Sequence, residues 1–199
     1  MHIKDYFKNH PITYKWFSGS FAVIFMIASL LWTLVILDVE AQYFGDMLLQ
    51  QNALKWVWLF ASVSLLFLSI RIYRFGPIDD YDNIYVKWFG IYSANAALSM
   101  AAAYAGVMWA ALIPVLIFDQ SLPQGMTFVE ALKICIYFIG LILVLYLFYL
   151  ALFVNGNLNK YYEGHNHMKV MRPLLLLFAL FFFFGRVLDI VKIFKPGLF

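Results

Sequence analysis

The sequence predicts an all-α fold: a polytopic transmembrane helical bundle of about five spans, with its N-terminus in the cytoplasm. Three observations predict it. Apolar residues make up 64% of the 199-residue chain, and charged residues only 13%. The apolar residues fall in runs close to the ~20 that a helix needs to cross a hydrocarbon core about 30 Å thick. The basic residues sit between those runs in an alternating pattern. A soluble chain of this length could not hide so much apolar surface in one core. The chain therefore reads as a single membrane domain over 1–199, with spans at approximately 17–37, 55–72, 90–118, 131–154 and 173–193.

The first apolar run is 21 residues long, beyond the ~7–15 of a signal-peptide core. It ends in Leu37-Asp38-Val39-Glu40, with no small-residue cleavage motif, so an uncleaved first span is expected. Tyr14 and Trp16 mark its inner end and Trp32 its outer end, where amphipathic rings favour the headgroup level. The second span is short: 15 residues separate Lys55 from Arg71, about 22 Å of helix. Snorkelling of both cations, or local bilayer thinning, makes up the deficit. The third span is long, and Pro114 predicts a kink near its outer end. Gly76-Pro77 marks a turn after span two, and Asn155-Gly156-Asn157 the exit from span four. The fifth run is purely apolar over 173–185, and then carries Arg186, Asp189, Lys192 and Lys195. A full crossing over 173–193 is the preferred reading; a dip followed by an interfacial tail is the alternative.

Orientation follows from the bases, because Lys and Arg concentrate in cytoplasmic loops. Lys4, Lys8 and Lys15 precede span one, whereas the next connector holds Asp38, Glu40 and Asp46 and no base. Arg71, Arg74 and Lys87 lie between spans two and three, no base lies within 119–130, and Lys160, Lys169 and Arg172 lie between spans four and five. This alternation puts the N-terminus inside. With no N-x-Ser/Thr glycosylation site in the chain, the expected location is a bacterial inner membrane.

Candidate functional residues are few. Ser93, Ala97, Ala101 and Ala105 recur every four residues in span three, a spacing that lets helix backbones approach closely. Asn95 and Ser99, also four apart, can hydrogen-bond across a neighbouring helix. Span three is accordingly expected at the centre of the bundle. Arg186 and Asp189, three apart, share a helix face and can pair within the membrane. The acidic turn Asp79-Asp80-Tyr81-Asp82 lacks the glycine and distal glutamate of a calcium loop. His165 and His167 form only a weak metal pattern, so no metal and no cofactor are expected; no histidine lies within a span to hold haem.

Several function classes are disfavoured. No Lys/Arg-rich run suits nucleic acid. The single cysteine, Cys135, can form no intramolecular disulfide. No metalloprotease, nucleophile-elbow, P-loop or dinucleotide motif is present. The expected role is non-enzymatic: an accessory or structural subunit of a larger membrane assembly, acting by helix packing. Secretion, conjugation, envelope and respiratory machinery, or an immunity or exclusion factor, all fit. Its partners would be the bilayer and other membrane subunits, or further copies of itself. The alternative is a small oligomeric transporter or channel using Arg186/Asp189 and Asn95/Ser99. A membrane enzyme would need Asp79, Asp80 or Glu163 beside His165 and His167 in one cytoplasmic cleft.

Overall fold

The computed structural model describes residue 12 and residues 14–36, 52–75, 83–118, 128–162 and 166–194. Among these residues the chain is helical apart from Ile12 and Asn83, and no strand occurs. Helix α1 is Tyr14–Ile36, α2 Asn52–Phe75, α3 Ser93–Phe118, α4 Phe128–Tyr162 and α5 Asn166–Phe194, and a π-helical segment, Val86–Tyr92, leads directly into α3. Four of the five helices contain stretches long and apolar enough to cross a membrane: Tyr14–Leu31, Leu54–Phe75, Leu132–Leu150 and Val170–Phe194. The chain is a helical membrane protein. Helix α3 has 26 residues, or about 39 Å at 1.5 Å per residue.

Three helices differ in extent from the sequence reading. Helix α2, expected to be short, runs 24 residues, and its apolar stretch Leu54–Phe75 spans 22, because Lys55 and Arg71 lie within the helix rather than bounding it. The expected exit from span four at Asn155-Gly156-Asn157 is helical, and α4 runs 35 residues to Tyr162. A glycine inside a helix costs only about 1 kcal/mol relative to alanine, and the long apolar segment before it absorbs that cost. Helix α5 begins at Asn166, so Pro173 lies inside it rather than at its start. The proline leaves the Lys169 carbonyl without its helical donor, a loss that membrane helices tolerate. Helix α5 also continues without a break through Gly185 and Arg186 to Phe194.

Contacts divide the chain into two compact units. One comprises Met1–Thr13, Asn52–Ala97 and Tyr146–Phe199; the other comprises Tyr14–Gln51 and Leu98–Leu145. In the first unit, α2 packs along α5 and against the π segment. Its contact with α5 includes Trp58, whose ring meets Phe182 edge-on at 5.9 Å. Ala179, fully buried, is the point on α5 with no bulk to hold a neighbour away. In the second unit, Tyr104 of α3 stacks on Phe138 of α4 at 6.0 Å. Leu112 and Cys135 form a buried cluster there with Met108, Trp109 and Leu132. Ascending positions on α3 meet descending positions on α4, so these two helices are antiparallel.

Helices α1 and α3 run in the same direction. Phe21 and Phe25 face Gly106, and the positions one to two turns earlier, Trp16 and Ser99, share a groove. On α2, Ser64 and Leu68 both meet Gly90, and Phe67 stacks on Phe89.

Candidate functional site

The small-residue face of α3 is a packing face within the chain. Ala97 and Ala101 are fully buried, Ala105 and Ser93 nearly so, and Ala94, Leu98 and Ala102 bury beside them. Gly106 extends this surface. A methyl group built there would lie 3.0 Å from the Phe21 carbonyl oxygen and 3.1 Å from the Phe25 nitrogen. Those neighbours are backbone atoms, so α1 would have to move. Hydrophobic burial gives helices in lipid no reason to associate; close van der Waals approach does, and small residues permit it. Asn95 and Ser99 are half-buried, and Ser99 lines an open groove between α1 and α3.

A second packing site was not visible in the sequence. Asn83 starts the helix before α3: its side-chain carbonyl accepts the Tyr85 N–H at 3.0 Å and the Val86 N–H at 3.5 Å. The helix then widens into the π segment. Such segments are rare and frequently sit at functional sites. Here Gly90 is the reason α2 can approach. A methyl group on it would lie 2.7 Å from Leu68 Cδ2. The Ser64 hydroxyl donates to the Gly90 carbonyl at 2.6 Å, fully buried. The Ser93 hydroxyl donates to the Trp88 carbonyl, five residues back, at 3.5 Å. One level away, the Tyr149 hydroxyl of α4 donates to the Ala61 carbonyl of α2 at 3.3 Å. Ser62 and Ser69, also buried on α2, instead donate to carbonyls of their own helix, at 2.7 and 2.8 Å. Thus Ser64 and Tyr149 tie separate segments of the first unit to α2. Sequence offered one cue to this seam, a glycine in an aromatic run, and none to its hydrogen bonds.

Arg186 and Asp189 form the pair that their spacing predicts, with Nη1 and Oδ2 3.0 Å apart. Both side chains are about one-third exposed, at 35% and 33%. The guanidinium also stands 5.5 Å from the centre of the Phe182 ring. Phe182 in turn abuts Trp58, so the pair is anchored on the α2–α5 contact. Each charge is answered on its own helix, while Arg186 Nε is buried without a hydrogen-bond partner. No family model, no curated protein and no solved structure matches this chain.

Among the described residues, no three His, Cys, Asp or Glu side chains come together as a metal site. The acidic turn at 79–82, Glu163 and His165 lie outside the described residues, and His167 falls in α5 with its side chain undescribed. What the described sites do is hold helices: one seam by close backbone approach, another by buried hydroxyl–carbonyl bonds. The Ser64 and Tyr149 hydroxyls lie against backbone oxygens of neighbouring segments, and the two side chains are within hydrogen-bonding reach of each other.

Proposed function

We propose that this chain is a multi-pass protein of a bacterial inner membrane, with five spans and a cytoplasmic N-terminus, and that it serves as a non-enzymatic structural subunit of a larger membrane assembly. The single observation that carries the reading is the use of the polar and small residues in the interior. Ser64, Tyr149, Gly90, Gly106 and the α3 alanines all serve contacts between helices. The fifth span is α3, whose length suffices and whose alanines suit an enclosed position. The alternation of bases supports the orientation.

Because the alanine face is buried within the chain, recognition of another subunit would fall to the outer surfaces. Helix α4 exposes Ile136, Tyr137, Leu143 and Val144, and α5 exposes Phe178, Phe181 and Phe184. Purification in gentle detergent followed by mass spectrometry tests the role. A protein recovered at fixed stoichiometry supports it. Solute flux through liposomes that hold the pure chain, lost in Arg186→Ala with the fold intact, contradicts it and favours transport. Orientation has its own test. A cysteine introduced by Gly45→Cys should react with an impermeant thiol reagent in intact cells, and one introduced by Gly164→Cys should not. The native Cys135 is fully buried, so it does not confuse the result.

A further inference from the structure

The groove between α1 and α3 has the polarity of an amphiphile. Its volume is about 690 Å³, and its walls are almost entirely apolar, a size typical of small-molecule sites. Lys15 and Trp16 stand at one end, both exposed. Val23, Met100 and Ala103 line the remainder. Gly19 opens the wall between them: a methyl group built there meets nothing within 4 Å. Among the described residues no carboxylate pairs with Lys15.

Depth identifies the occupant. The α1 residues that line the groove run from Lys15 to Ile24, nine residues on, or about 13.5 Å of helix. Half of a 30 Å hydrocarbon core is about 15 Å. The groove therefore reaches from the headgroup level, where a lysine and a tryptophan belong, to near the bilayer midplane. One end offers a cation for a phosphate and the rest offers a wall for one acyl chain. We propose that this groove binds an anionic phospholipid, its headgroup phosphate on Lys15 and one acyl chain along Gly19, Val23 and Ala103. This site is independent of the subunit reading above, and either can fail without the other.

Native mass spectrometry of the full chain with dioleoyl phosphatidylglycerol or dioleoyl phosphatidylcholine tests it. Phosphatidylglycerol should be retained in preference. Lys15→Gln should lower its retention about fivefold, the worth of one lysine near an anionic surface, while Lys15→Arg keeps it. Gly19→Phe should fill the groove and release both lipids, and Ala103→Phe should do the same from the opposite wall. The Lys15 variants decide the matter even where a bulky variant fails to fold, because that side chain is exposed and holds no packing. Equal retention of the two lipids, or no change in Lys15→Gln, overturns the proposal. So does full displacement by glycerol phosphate, which would mark a simple phosphate site, or loss of a bound protein rather than of lipid in Gly19→Phe.

Discussion

The α2 seam and the α1–α3 seam solve the same problem by different means. Around α2, the partners are held by hydroxyl–carbonyl bonds at Ser64 and Tyr149, and Gly90 yields to the side chain of Leu68. Around Gly106, the contact is backbone against backbone, with no hydrogen bond required. A side chain can rotate out of the way of an added methyl; a helix backbone cannot without moving the whole helix. The difference teaches that the alanine–glycine seam is the stiffer of the two. Substitutions should separate them.

The largest effect is expected at Gly106→Leu. The new side chain has only the α1 backbone to displace, and overpacking of this kind costs about 3 kcal/mol. Unfolding of the chain in a graded mixture of mild detergent and dodecyl sulfate measures it, and an unchanged midpoint would show that α1 and α3 are not in contact. Gly90→Ala should cost less, about 1 kcal/mol: roughly 2 of crowding against Leu68, less the ~1 that alanine gains over glycine in a helix. The same titration ranks the two, and a reversed order would break the comparison. Ser64→Ala and Tyr149→Phe should each cost about 0.6 kcal/mol, the mean for a hydrogen bond between membrane helices. An additive double variant would fit two separate bonds, and strong coupling would point to a shared network. Arg186→Gln should cost least, about 0.3 kcal/mol, because its pair with Asp189 is local and part-exposed.

Much of the helical layout was legible in the sequence because a helix that crosses lipid must be apolar for its whole length. The runs at 17–37, 55–72, 90–118 and 131–154 each fall on one of α1 to α4, and the run at 173–193 lies within α5. The i, i+3 spacing of Arg186 and Asp189 likewise carried their ion pair, since helical geometry alone brings them together. The α4 exit was misread because Asn155-Gly156-Asn157 has the local chemistry of a turn, and local propensity yields to a long helix on its flank. Proline at 173 looked like a boundary for the same reason. The π segment was not legible at all. Hydropathy reports which residues are oily, and it is blind to whether a backbone bond spans four residues or five. Gly90 and Gly106 read alike as small residues, and only the atoms opposite them distinguish a yielding neighbour from a rigid one.

The central claim is that the alanine face of α3 holds this chain together rather than presenting itself to another protein. Ala101, with no exposed surface, is the position that decides. Ala101→Leu in the isolated chain should lower stability in the detergent titration by about 3 kcal/mol, as overpacking in a filled interior does. A chain as stable as the wild type, that has lost only a copurifying subunit, would contradict the account.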